Sequence, residues 1–173
     1  PARNQAGRWT TFGLLVLLAA FESILNGFFF AKGSEFGLVG GIGTAVGISI
    51  TNVSFAFLVG LGPARWINHK NAFLKIIGVL LVLAIMGALI VFHVFAAHLR
   101  DATAAFGESR AMTIAIESIR QTPWKLSELS SYYLFGLGTL FAFSAMWKGY
   151  SFDDPYPTYG SYSRRFAAAR QAY

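Results

Sequence analysis

One acidic residue stands out among the side chains that could do chemistry. Glu22 lies near the middle of an apolar segment that extends from Trp9 to Ala31, and Asn26 follows one helical turn later. A charged carboxylate in the middle of a lipid bilayer costs about 3 kcal/mol or more unless it is protonated, paired or hydrated. We therefore expect Glu22 and Asn26 to form either a proton or cation site, or a hydrogen-bonded contact that locks neighbouring helices together.

The next apolar segment carries a second set of polar and small residues. Asn52 lies near its middle and is the expected partner of Glu22, because a short turn makes the two segments antiparallel neighbours. Small and hydroxyl side chains recur along this segment at intervals of three and four residues: Gly40, Thr44, Gly47, Thr51 and Ser54. Such a seam is typical of close helix packing in lipid. The alternative is that it forms the polar lining of a pore in an oligomer.

A proline- and tyrosine-rich segment after Trp147 is the third candidate. It contains Asp153, Asp154, Tyr156 and Tyr159, which we expect to form a docking surface for a protein partner. Adjacent aspartates before a proline are typical of a turn. A cation site is the weaker interpretation of the same residues.

Other chemistries lack the residues that they need. The chain has no cysteine, which excludes disulfides and thiolate metal sites. His98 does not share the helix face of His93, which leaves one suitably placed intramembrane histidine where a bis-histidine haem site needs two. The sequence contains no HExxH, GxSxG or Walker motif. We therefore predict no enzymatic activity, no cofactor and no metal site.

The elements that position these residues are predicted from composition. Hydrophobic residues make up 55% of the chain and charged residues 13%, and the mean hydropathy of +0.52 is too high for an ordinary soluble domain. Four windows approach the 20 or so apolar residues that cross a bilayer, at about residues 9–31, 38–61, 73–99 and 124–148. Strand-like alternation is absent, so the fold class is all-α with four transmembrane helices. Thr122 and Pro123 are the expected start of the fourth helix.

A polar stretch between the third and fourth windows has helical periodicity. Met112, Ala115, Ile116 and Ile119 recur at helical spacing after Ser109, a possible cap. This pattern predicts an amphipathic helix on the outer membrane surface or over the bundle. We expect it to pack on its own bundle, and a lid or docking role is the alternative.

The distribution of basic residues predicts the orientation in the membrane. With a cytoplasmic N-terminus, nine of the 14 basic residues face the cytoplasm: Arg3, Arg8, Arg65, Lys70, Lys75, Lys148, Arg164, Arg165 and Arg170. The other five are balanced by acidic residues on the outer side. We therefore predict a multi-pass protein of the bacterial inner (plasma) membrane with both termini in the cytoplasm. A basic rim facing anionic lipid explains the net charge of +6 without a nucleic-acid partner.

The chain divides into a membrane domain at residues 1–149 and a cytoplasmic segment at residues 150–173. That segment is predicted to turn helical from Ser163, either as the start of a longer helix in a larger protein or as a short frayed one. The chain has more polar groups in its predicted spans than one small bundle can easily bury. The expected partners are therefore membrane lipid and either further copies of the chain or the subunits of a membrane complex. The first functional hypothesis is an oligomeric pore or ion-conducting module. A membrane anchor or sensing subunit is the alternative, and a proton-coupled transporter or membrane enzyme is the third.

Overall fold

The structure is a computed structural model that describes residues 8–172. Residues 1–7, which include the Arg3 of the orientation argument, and residue 173 lie outside the described residues. Within them the chain forms seven helices and no strand. The helices are α1 (Arg8–Ala31), α2 (Gly37–Leu61), α3 (Pro63–Trp66), α4 (Ala72–Phe106), α5 (Glu108–Gln121), α6 (Leu129–Tyr150) and α7 (Tyr159–Gln171).

Four of these helices are long and apolar enough to cross a membrane. They are α1, α2 with its short continuation α3, α4 and α6. The all-helical fold and the four long apolar helices are therefore confirmed. In the description that follows, the Lys32 end of the bundle holds the α1–α2 connection and the start of α6. The Trp66 end holds α3 and the start of α4.

The start of the fourth long helix differs from the prediction. Thr122 and Pro123 do not begin α6, because Thr122 caps the end of α5 and donates its N–H to the carbonyl of Ser118. Pro123 disfavours the helical conformation in the residue before it, so it ends one helix instead of starting the next. The chain then crosses the Lys32 end of the bundle, and α6 begins after Glu128, whose backbone is extended.

The third long helix extends beyond the predicted window. Instead of ending near residue 99, α4 continues to Phe106 and stops at Gly107, where φ is 76°. That positive φ suits glycine, because other residues rarely adopt it. Arg100 and Asp101, which the sequence places in a loop, are therefore part of the helix.

A helix is present where the amphipathic pattern predicts one, but its start and its packed face differ. It begins at Glu108 with Gly107 as N-cap, so Ser109 is not the cap. Ala111 and Ala115 pack against Ala102 of α4, whereas Met112 and Ile116 are exposed. The alanines define the contact because their small side chains let α5 fold back closely on α4.

Pairs of glycines bring the long helices together. The α1–α2 hairpin is antiparallel, and Gly41 of α2 lies directly against the backbone of Gly27. At the Trp66 end, Gly60 of α2 contacts the backbone of Met146 and Gly149 of α6 contacts that of Phe57. These contacts make α2 the central helix, packed between α1 and α6.

The last helix begins earlier than the sequence predicts. It starts at Tyr159 instead of Ser163, because the hydroxyl of Ser161 and the N–H of Tyr162 both donate to the carbonyl of Thr158. Along α7, most side chains after Gly160 are exposed. This helix therefore adds little to the packing of the bundle.

Candidate functional site

The interior of the bundle has a polar layer between two apolar clusters. At the Trp66 end the buried cluster comprises Val53, Ala56, Phe57, Leu89, Ala142 and Ala145. At the Lys32 end it comprises Phe30, Ala45, Ala96, Ala97 and Leu134. The polar layer between them comprises Glu22, Asn26, Ser49, Asn52 and His93, each at most 1% exposed. A buried polar layer thus occupies the middle of four apolar helices.

Asn52 connects the polar layer through three hydrogen bonds. Its Nδ2 donates to Oε1 of Glu22 at 2.9 Å and to the carbonyl of Gly138 at 2.9 Å. Its Oδ1 lies 3.0 Å from Nε2 of His93. Because an amide oxygen can only accept, Nε2 of His93 donates in this arrangement. One side chain of α2 therefore ties together α1, α4 and α6.

Helix periodicity and one glycine position these groups. Glu22 and Asn26 are four residues apart on α1, and Ser49 and Asn52 are three apart on α2, so each pair shares a helix face. Gly138 of α6 has no side chain, and a Cβ there would overlap the His93 ring. The missing Cβ allows the imidazole to lie directly against the α6 backbone. The pairing of Asn52 with Glu22 that the sequence predicts is present.

Sequence reasoning missed two members of this layer, Ser49 and His93. The reason is clear for His93. The apolar window at residues 73–99 puts it near the end of a span, where a histidine is expected to face the interface. Since α4 continues to Phe106, His93 lies deep in the bundle. The residues after Leu99 are polar but compatible with a helix, so the sequence allows α4 to continue. A hydropathy window excludes these residues and therefore ends the helix too early.

Several atoms of the polar layer have no hydrogen-bond partner among the described residues. They are Oε2 of Glu22, both amide atoms of Asn26, Oγ of Ser49 and Nδ1 of His93. An unsatisfied buried polar atom costs about 1–3 kcal/mol, so such atoms are rare in native interiors. Among the side chains of residues 9–172, no basic group forms an ion pair with Glu22. A carboxyl so enclosed is favoured in its neutral, protonated form. The layer therefore combines a carboxyl and an imidazole that can each gain or lose a proton.

The seam on α2 does not face this layer. Thr44, Gly47 and Ser54 are exposed on the outside of the bundle, and Gly40 and Thr51 are half-buried. No atom outside the local helix lies within 4 Å of a Cβ built at Gly43 or Gly47. The close packing predicted for the seam falls instead on other faces of α2, where Gly41 lies against α1 and Gly60 lies against α6.

A second polar cluster lies at the Lys32 end. Arg100 is 3% exposed, and its Nη1 lies 3.2 Å from Oδ1 of Asp101 and 2.9 Å from Oε2 of Glu128. Its Nε donates to the carbonyl of Phe29 at 3.1 Å. Lys32 adds a contact of 2.7 Å to Oε1 of Glu128. Hydrogen bonds from Lys32 and Arg100 lower the pKa of Glu128 to about 2. This cluster fastens the chain before α6 to α1 and α4.

The residues predicted to dock a partner divide into two groups. Asp153 accepts hydrogen bonds from Arg164 at 2.8 and 3.0 Å, and these bonds lower the pKa of that carboxyl. Asp154 is buried and accepts the N–H of Tyr156 at 3.0 Å. Both aspartates therefore build the turn before α7, while the rings of Tyr156 and Tyr159 are exposed.

Comparison with known proteins does not extend this description. No protein-family model, no curated protein and no solved structure matches the chain. Across residues 8–172, no group of three or more histidine, aspartate or glutamate side chains could hold a metal ion. The polar layer is therefore the feature of the molecule from which we infer a function.

Proposed function

We propose that this chain is an integral membrane protein that carries protons through its four-helix bundle, with Glu22 as the proton-binding group. The observation that carries the proposal is the complete burial of Glu22 among apolar helices, where it is hydrogen-bonded to Asn52 and forms no ion pair with the basic side chains of residues 9–172. Ionisable residues inside membrane bundles are costly and are typical of proton and ion pathways. His93, linked to Glu22 through Asn52, is the second protonatable group of the pathway.

Membrane insertion is supported by the outer surface of the bundle. Large apolar side chains are exposed along each long helix, including Phe21 and Phe28 on α1, Leu83 and Val91 on α4 and Leu140 on α6. Soluble monomers rarely expose contiguous apolar surface on this scale. In a bilayer the same side chains contact lipid. An even number of spans puts both termini on the same side of the membrane. The distribution of basic residues favours the cytoplasm as that side.

The two apolar clusters favour a transporter over an open pore. They lie on either side of the polar layer, so water has no continuous polar route through the bundle in this conformation. A proton on Glu22 then reaches either side only when one cluster opens. The enclosure of Glu22 by its own protomer also favours a path within each bundle over a path between copies. The exposed seam of α2 is the face that we propose for contact with another copy.

Proton flux into liposomes tests this proposal. The purified protein is reconstituted with a pH-sensitive dye trapped inside, and a potassium diffusion potential drives protons inward. We expect Glu22→Gln to reduce flux to the level of protein-free liposomes, because glutamine keeps the shape of the side chain but cannot release a proton. Glu117→Gln, on the exposed face of α5, is the matched control and should retain wild-type flux.

The result also separates the proposal from the anchor alternative. That alternative is favoured by the exposed rings of Tyr162 and Phe166 on α7, which form a surface for contact with another protein. A membrane anchor needs the same bundle but no exchangeable proton. If the wild-type protein is folded and inserted but gives no flux above background, or if Glu22→Gln conducts as wild type does, the proton proposal is wrong.

A further inference from the structure

Two cavities of different character adjoin at the Trp66 end of the bundle. One, of about 310 Å³, lies between the α3–α4 connection and the chain before α7, and His69, Lys70 and three tyrosines line it. The other, also about 310 Å³, lies between α3, α4 and α6. Asn68 lines both cavities. The two cavities therefore adjoin at Asn68. We call the one with His69 and Lys70 in its wall the polar half and the other the apolar half.

The polar half suits an anion. Lys70 contributes a cation, and none of the residues that line this half is acidic. Nδ1 of His69 accepts the N–H of Asn71 at 3.0 Å, so the proton of the neutral ring lies on Nε2. Tyr156, Tyr159 and Tyr162 also line this cavity, and a tyrosine hydroxyl is a hydrogen-bond donor. A phosphate group here would meet a positive charge and hydrogen-bond donors, and the lining itself contains no carboxylate.

The apolar half suits a hydrocarbon chain. Ala64, Ile67, Val82 and Met146 form most of its wall, together with the rings of two aromatic residues. Nδ2 of Asn68 donates to the hydroxyl of Tyr150 at 2.8 Å, so these polar groups of the wall are paired with each other. The surface left for a ligand is therefore mainly alkyl and aromatic.

We propose that this site binds an anionic phospholipid, with the phosphate beside Lys70 and His69 and an acyl chain along Val82 and Met146. The exposed rings of Trp66 and Trp147 lie at the same end of the bundle, as tryptophans do at a membrane surface. A basic pocket beside an apolar groove on the cytoplasmic side is the arrangement that recognises an anionic lipid headgroup. The inference depends on the membrane insertion proposed above but not on the proton chemistry of Glu22.

Native mass spectrometry of the purified protein in detergent tests the site by titration with phosphatidylglycerol and with phosphatidylcholine. We expect preferential binding of phosphatidylglycerol. Lys70→Gln should weaken that binding about fivefold, which corresponds to the loss of one lysine near an anionic headgroup, and should leave phosphatidylcholine binding unchanged. Lys125→Gln, at the opposite end of the bundle, is the control and should bind both lipids as wild type does. Equal effects of the two lysine variants would overturn the proposal.

Two further arms test the lipid identity of the ligand. Val82→Phe narrows the apolar half and should weaken phosphatidylglycerol binding in a protein that remains helical by circular dichroism. Inorganic phosphate and glycerol phosphate should not displace the lipid at equal concentration. Displacement by either compound, or no effect of Val82→Phe, would show that the site does not hold an acyl chain and would overturn the lipid assignment.

The same variants keep this inference separate from the proton proposal. Lys70→Gln should retain proton flux, and Glu22→Gln should retain lipid binding. Loss of lipid selectivity with intact flux overturns the lipid site alone, whereas retained selectivity with no flux overturns the proton proposal alone.

Discussion

Replacing Asn52 by leucine is expected to lower the free energy of unfolding by at least about 3 kcal/mol. The change removes the hydrogen-bond partner of Glu22 Oε1, of the Gly138 carbonyl and of His93 Nε2. Each buried polar group left without a partner costs about 1–3 kcal/mol. Leucine has the same number and branching of side-chain heavy atoms and is not smaller than asparagine, so the change leaves no cavity. Chemical unfolding in detergent micelles, followed by circular dichroism, measures the difference.

Thr51→Val is the matched control for this variant. Thr51 precedes Asn52 on α2, is half-buried, and donates its hydroxyl only to the carbonyl of Gly47 in its own helix. Its replacement should change the free energy of unfolding by less than about 1 kcal/mol. If Asn52→Leu unfolds no more easily than Thr51→Val, then Asn52 does not hold the polar layer together.

Gly149→Val is the second change with a large expected effect. A Cβ at Gly149 would overlap the carbonyl oxygen of Phe57 and approach the amide nitrogen of Leu61 to 2.8 Å. Both atoms belong to the α2 backbone, so no side-chain rotation can relieve the overlap. Forcing α2 and α6 apart is expected to cost about 3 kcal/mol, at the upper end of overpacking effects. Thermal unfolding in micelles should show a clearly lower midpoint.

Gly136→Val in the same helix provides the control. Nothing lies within 4 Å of a Cβ at Gly136, so valine meets only the surroundings of the bundle. Its midpoint should stay close to that of the wild type, because valine has no lower helix propensity than glycine. Similar midpoints for the two variants would mean that α2 and α6 do not meet at Gly149.

The sequence was sufficient to predict the features that depend on length and local pattern. Four apolar windows of bilayer length predict four long helices, because few other conformations let a single segment in hydrocarbon pair its own backbone N–H and C=O groups. The contact between Asn52 and Glu22 also follows from local information. Both residues lie near the middle of their spans, and the short connection at Lys32 fixes these spans as an antiparallel pair.

Other features depend on tertiary contacts that periodicity does not encode. Small residues occupy several faces of α2: Gly40 and Gly47 share one, Gly41 faces α1 and Gly60 faces α6. Any of these faces could pack, and only the positions of α1 and α6 decide that the faces with Gly41 and Gly60 do. His93 illustrates the same limit, since its contact with Asn52 depends on how far α4 continues beyond the apolar window.

The start of α6 was mispredicted because two local signals compete at Thr122 and Pro123. Threonine followed by proline fits a helix start, yet proline also ends a helix that reaches it. The decision depends on whether α5 extends to Thr122, which in turn depends on the packing of Ala111 and Ala115 on α4. The amphipathic pattern located α5 but emphasised its larger side chains.

Infrared spectroscopy of the reconstituted protein at neutral pH tests most directly whether the bundle encloses a protonated carboxyl. We expect a carbonyl stretching band of a protonated carboxylic acid in the wild type. This band should be present in Glu117→Gln and absent in Glu22→Gln. If the wild type has no such band, or if the band persists in Glu22→Gln, then Glu22 does not carry a proton inside the bundle and the proton proposal is wrong.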